Sequence, residues 1–95
     1  MSIVRLPEAL RNQIEQLDFV ALESPLAAVD LDEEIEAQVD SLALHPRLGR
    51  PGRVKGTREL VIGRCPFVVV YRIKAGSRVE VLRLLHGAQQ WPKMP

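Results

Sequence analysis

Apolar positions in the first half of the chain recur three and four residues apart, whereas in the second half they run together or alternate. Leu10, Ile14, Leu17 and Ala21 fall on one side of a helix, with Arg11, Asn12, Glu15 and Asp18 between them. That spacing predicts an amphipathic helix with one buried stripe and one wet face. Pro7-Glu8 marks its start, because proline is tolerated at the first helical position and an early carboxylate suits the positive helix end. Glu23-Ser24-Pro25 is the next break: Ser24 can cap and Pro25 can open a second helix. Its stripe is Ala28, Leu31, Ile35, Val39 and Leu42, and its solvated face is acidic. Two stripes with a short connection predict an antiparallel helical hairpin that needs a third layer to cover it.

The other pattern is that of strands. Ser2 to Leu6 is a short strand candidate. His45-Pro46 ends the second helix, where an imidazolium would suit the negative helix terminus. Leu48-Gly49-Arg50-Pro51-Gly52 reads as a loop and Arg53-Val54-Lys55 as a short edge strand. Arg58 to Ile62 is a strand, broken by Gly63-Arg64-Cys65-Pro66. Phe67 to Lys74 is the most continuously apolar run and should be the central strand; Ala75-Gly76-Ser77 closes a hairpin onto Arg78 to His86. Gly87 to Pro95 is a polar tail with Trp91 as an anchor. The expected fold class is α+β: an N-terminal helical hairpin packed on a twisted antiparallel β-sheet, in a single domain spanning residues 1–95.

Composition narrows the class. Ninety-five residues support one modest core, and 46% hydrophobic residues exclude wholesale disorder. No apolar run approaches the ~20 residues of a membrane span, and the N-terminus lacks a signal-peptide pattern. The lone Cys65 cannot form an internal disulfide and reads as a half-buried thiol. A cytoplasmic protein is the expectation. Charge changes the picture more. Residues 1–46 carry two basic and ten acidic side chains, a balance of −8, and residues 47–95 carry eleven basic and two acidic ones, a balance of +9. A split that sharp suggests a basic face for a polyanion or an acidic protein segment. The alternative is that acidic helices and basic sheet neutralise each other within the fold.

Several sites are missing from the sequence: no zinc spacing, no phosphate-binding glycine loop, no nucleophile elbow. The expectation is a protein without metal or cofactor. What remains is a constellation of Arg53, Lys55, Arg58, Glu59, Arg64, Tyr71, Arg72, Arg83, His86, Gln90 and Trp91. RNA cleavage by 2′-hydroxyl attack needs a base, positive charge on the phosphorane and an acid for the leaving oxygen. Arginines supply the charge, His86 or Glu59 the proton chemistry, and Tyr71 or Trp91 a stacking surface. Strand parity stands against convergence. Arg58 shares a face with Leu60 and Ile62 while Glu59 points away, and Arg83 opposes His86 unless the strand twists, bulges or ends. The structural alternatives are a cross-strand salt bridge for Glu59 to Arg72 or Arg83, a packed strand end for His86, a core-edge anchor for Trp91 and a buried Tyr71.

The ordered blocks Leu48-Gly49-Arg50-Pro51-Gly52, Gly56-Thr57-Arg58-Glu59-Leu60, Val70-Tyr71-Arg72 and Leu82-Arg83-Leu84-Leu85-His86-Gly87-Ala88 resemble the RelE/ParE superfamily of toxins from bacterial type II toxin–antitoxin modules. Pro7-Glu8-Ala9-Leu10 and Ser24-Pro25 resemble it too, so the likeness covers nearly the whole chain. It implies the helical-hairpin-on-sheet fold and an antitoxin protein that wraps and neutralises the toxin in a hetero-oligomer. RelE-like members cleave messenger RNA on the ribosome without metal; ParE-like members inhibit DNA gyrase and have no known nuclease residues. Arg58 stands where RelE-like proteins place a basic sheet residue, and His86 matches the strand-end histidine of the YoeB-like branch. The basic residue of the early central strand is replaced by apolar Phe67-Val68-Val69, and an aromatic residue near the strand end by Gly87. The leading expectation is a ribosome-dependent endoribonuclease with Arg58, Arg83 and His86 catalytic and Arg53, Lys55, Arg64, Gln90 and Trp91 holding RNA. The alternative is a ParE-like inhibitor that grips DNA gyrase and breaks no bond.

Overall fold

Ser24 sets the shape of the N-terminal half. In the computed structural model, which describes residues 1–63, 67–86 and 91, it lies between helix α1 (Pro7–Glu23) and helix α2 (Pro25–Ser41). Its N–H donates to the Val20 carbonyl at 3.0 Å and closes α1. Its hydroxyl accepts the Ala27 N–H at 3.1 Å and caps α2. One residue thus ends one helix and starts the next, so the helices fold back on each other. Gln13 joins them from the side, its amide donating to Asp32 at 2.8 Å and Glu36 at 3.0 Å.

The strands are β1 (Ser2–Arg5), β2 (Arg50–Pro51), β3 (Arg58–Val61), β4 (Phe67–Lys74) and β5 (Arg78–His86). They form one sheet in the order β1-β5-β4-β3-β2. The expected α+β class, hairpin and central strand are all present. β1 adds a parallel pairing to an otherwise antiparallel sheet, with Ser2 opposite Arg78 and Arg5 opposite Val81. The edge strand at the other side is Arg50–Pro51 and not Arg53-Val54-Lys55, which lies in the following turn. Arg50 pairs with Glu59 and Pro51 with Arg58, and the Gly52 N–H donates to the Thr57 carbonyl at 2.8 Å one rung further on. The missing proline N–H thus falls at this outer edge strand, where it is tolerated.

The core lies between the helices and one face of the sheet. Leu31, Ile35, Val39 and Leu42 of α2 and its end pack with Leu60, Phe67, Val69, Tyr71, Val79, Val81 and Leu84. The α2 stripe is therefore as its spacing predicts. The α1 stripe is not. Leu10 is 46% exposed and Ile14 61%, and the inward side of α1 is Ala9, Asn12, Leu17 and Val20, roughly a quarter-turn away. The cause is on β5. β1 stops opposite Val81, so the outer edge of β5 needs another partner, and Asn12 accepts the Leu84 N–H at 3.2 Å. Among the described residues, no helix is long and apolar enough to cross a membrane.

Candidate functional site

The loop after α2 is fastened to the sheet by one phenol. Tyr71, fully buried on β4, donates its hydroxyl to the Pro46 carbonyl at 2.7 Å and accepts the Gly49 N–H at 2.9 Å. Burial raises the tyrosine pKa, against the opposing pull of the Gly49 N–H and the Arg58 charge. Gly49 must be glycine: a Cβ there would lie 2.7 Å from the Tyr71 ring. Gly52 is constrained likewise by Thr57, whose hydroxyl a Cβ would overlap. Arg58 completes the clasp, its guanidinium donating to the Gly49 carbonyl at 2.7 Å and the Arg47 carbonyl at 3.4 Å.

Glu59 leaves β3 on the other face. It is 3% exposed, and its carboxylate accepts the Arg53 backbone N–H at 2.9 Å and two guanidinium contacts from Arg53 at 3.0 Å. Arg50 adds a contact at 3.5 Å. Burial alone would raise the Glu59 pKa; the hydrogen bonds and charge of Arg53 outweigh it and hold the carboxyl below its usual range. The partner is thus a loop arginine six residues away, not the expected Arg72 or Arg83. Arg72 instead pairs with Glu80 at 2.8 Å, and Arg78 meets the same carboxylate at 3.1 Å. With both oxygens engaged and its proton affinity lowered, Glu59 is a structural anchor and a poor general base.

The proposed catalytic residues do not meet. Arg58 lies opposite Tyr71 and His86 opposite Phe67. Those β4 positions are four residues apart, about 13 Å along the strand. Arg83 lies opposite Val70, whose parity differs from that of Phe67 and Tyr71, so it leaves the sheet on the opposite face. A β-bulge at Leu82 precedes it, because Val70 pairs with Arg83 while Tyr71 pairs with Val81. The Arg83 guanidinium is 2.9 Å from Glu8 at the start of α1, and 5.1 Å from the Trp91 ring centre. The His86 ring stands edge-on to Phe67 with centroids 5.7 Å apart. Strand parity holds here despite the bulge.

Of the expected RNA-holding residues, Arg53 serves Glu59, Trp91 is half-buried under Arg83, and Lys55 is exposed in the turn. Arg64, Cys65 and Gln90 lie outside the described residues. Arg47, Arg50 and Lys55 are exposed along segment 47–58, which makes this edge of the sheet basic. Among the described residues, no three His, Cys, Asp or Glu side chains come together to hold a metal ion. The sequence reading missed Glu8 as the partner of Arg83 and the double role of the Tyr71 hydroxyl. The second had a signal: a tyrosine within an apolar strand needs a partner for its hydroxyl.

Residues 3–91 match a family model described as the ParE toxin of the type II toxin–antitoxin system parDE. The chain is 42% identical over 86 residues to the protein Y4kP of Sinorhizobium fredii, covering 90% of this chain and 88% of that protein. Among solved structures it resembles a chain of the chromosomal ParDE toxin–antitoxin system from P. aeruginosa, with 30% identity and a TM-score of 0.79 over 90% of this chain and 95% of that one. A chain of the RelBE2 toxin–antitoxin complex from Mycobacterium tuberculosis shares the fold at 22% identity, with a TM-score of 0.60 over 90% of this chain and 95% of that one.

Proposed function

The chain belongs to the ParE toxin family of type II toxin–antitoxin systems, and from that premise we propose that it halts growth by gripping a protein target, DNA gyrase, and not by cutting messenger RNA. The observation that carries this reading is the separation of Arg58, Arg83 and His86. Arg58 is spent on two backbone carbonyls, Arg83 is neutralised by Glu8, and His86 lies four rungs of β4 from Arg58 on the other side of that strand. A phosphorane needs charge and proton transfer within about 3 Å of one phosphate. A protein partner needs only a surface. The basic edge formed by Arg47, Arg50 and Lys55 offers one to an acidic patch.

An antitoxin from the same module is the second partner, in keeping with the toxin–antitoxin assemblies of the two related structures. The site of action is the cytoplasm.

Inducing the chain alone, and mapping messenger ends alongside gyrase-bound DNA breaks, tests the proposal. The expected result is growth arrest with intact messages and a DNA-damage response, retained in His86→Ala. Purified chain should also inhibit gyrase supercoiling in the absence of ribosomes. In-frame cuts in messages, lost in both Arg83→Ala and His86→Ala, would overturn it and restore the endoribonuclease reading.

A further inference from the structure

The face of the sheet turned away from the helices carries more positive charge than the fold uses. Register sets Arg72 opposite Glu80 and Lys74 opposite Arg78, so these four side chains leave β4 and β5 on one side, shared with Val70 and Glu59. The helices cover the other side, where Val69, Tyr71, Val79 and Val81 join the core. Glu80 is 7% exposed and meets two arginines, Arg72 at 2.8 Å and Arg78 at 3.1 Å. The Arg72 hydrogen bond, ahead of the opposing effect of burial, and the charges of Arg72, Arg78 and Lys74 hold its carboxyl below the usual range. Three cations thus surround one carboxylate. Glu59 repeats the arrangement, with Arg53 at 3.0 Å and Arg50 at 3.5 Å. One arginine for each carboxylate would neutralise this face. Lys74 directly opposite Arg78 adds a like-charge pair, which destabilises a ladder. An anion bound from outside would relieve it.

We propose that this face binds the phosphodiester backbone of duplex DNA, with Arg72, Lys74 and Arg78 as the phosphate contacts and Arg50 extending them along the backbone. Glu59 and Glu80 lie two strands and two rungs apart, about 12 Å, so the two clusters suit a ligand of repeated charge and not a single small anion. Arg72, Arg78 and Arg50 keep 42%, 48% and 63% of their side-chain surface exposed. A guanidinium held from behind by a carboxylate presents its outer N–H groups already aimed, which lowers the ordering cost of a phosphate contact. The ligand is a duplex because this face offers no ring on which an unpaired base could stack. Phe67 and Tyr71 are buried, Trp91 is half-buried against Arg83, and Phe19 lies on α1, away from this face. That it is DNA rests on the reading of the target as DNA gyrase, which works on duplex DNA, so the toxin meets protein and DNA together.

The probe is a short labelled DNA duplex titrated with the purified chain, without gyrase, over a range of salt. It should bind with micromolar Kd at low salt, and log K should fall against log salt with a slope of about −3, as about three neutralised phosphates require. The pair Lys74→Gln with Arg78→Gln should weaken binding at least about tenfold and reduce the slope to about −1. Arg11→Gln, on the helical side, should change neither. Lys74→Gln alone removes the like-charge pair, so it should unfold no earlier on heating than wild type, which separates lost binding from lost fold. No duplex binding at low salt, full binding by the double variant, or tighter binding of single-stranded RNA would overturn the proposal. Equal competition by polyglutamate of matched charge would assign the face to an acidic protein segment and overturn it too. Gyrase supercoiling is read separately. Inhibition without duplex binding keeps the target and removes this site, whereas duplex binding without inhibition keeps the site and removes the target.

Discussion

The Tyr71 hydroxyl stands 2.9 Å from the Gly49 nitrogen and 2.7 Å from the Pro46 carbonyl oxygen, so one buried atom holds both ends of a turn. Tyr71→Phe keeps the ring and removes the clasp. It leaves a buried N–H and a carbonyl unpaired, and should cost about 1–3 kcal/mol in urea unfolding. Gly49→Ala should destabilise from the opposite side of the contact by overpacking, about 1–3 kcal/mol. Because the two act on one contact, the double variant should lose less than the sum.

Glu59 makes stability depend on acid. Its folded pKa lies below the usual value of 4.5, so its contribution is present above that value and is lost as pH falls through the folded pKa. Wild type should lose stability on acidification below about pH 4.5 more steeply than Glu59→Gln. At neutral pH the variant should be less stable by about 2 kcal/mol, under the ~3–5 kcal/mol of a fully buried pair. The discount reflects Arg53 and Arg50, which keep 38% and 63% of their side-chain surface exposed.

Arg83 reports on itself through the single tryptophan of the chain. Its guanidinium covers the Trp91 ring at 5.1 Å and is fixed by Glu8 at 2.9 Å. Arg83→Ala should shift Trp91 emission to longer wavelength as the ring gains water. Glu8→Gln should produce a smaller shift in the same direction, because it loosens the arginine without removing it. Unchanged spectra in both would mean the stacking does not persist in solution.

Ser24→Ala should lower stability by about 1 kcal/mol, since the Ala27 N–H loses its acceptor. Ser24→Asp should restore most of it, which thermal unfolding of the three chains would show.

Where the signal was local, the sequence could be read closely. Phe67–Lys74 and Arg78–His86 are strands at the expected bounds, and Ser24-Pro25 caps and opens α2 as its chemistry requires. What could not be read depended on neighbours. A period of 3.6 residues reveals a stripe on α1 but not whether the sheet lies beneath it; the unpaired Leu84 N–H drew Asn12 inward and turned Leu10 and Ile14 out. Glu59 found Arg53 because β2 pairs at Arg50–Pro51 and swings the following turn over β3, which no pairing propensity encodes. Parity warned that Arg58, Arg83 and His86 would not gather, and the register bears it out.

The strand order β1-β5-β4-β3-β2 sets the first strand beside the last one described. During synthesis, Ser2–Arg5 therefore has no edge to join until Arg78–His86 has left the ribosome. A chain built this way keeps its sheet unfinished until the last of the described strands can receive the first. Its closure is a late, long-range event, slow by the usual relation between folding rate and sequence separation. Until that closure the outer edge of β5 lacks its parallel partner and stands open to pairing with another strand.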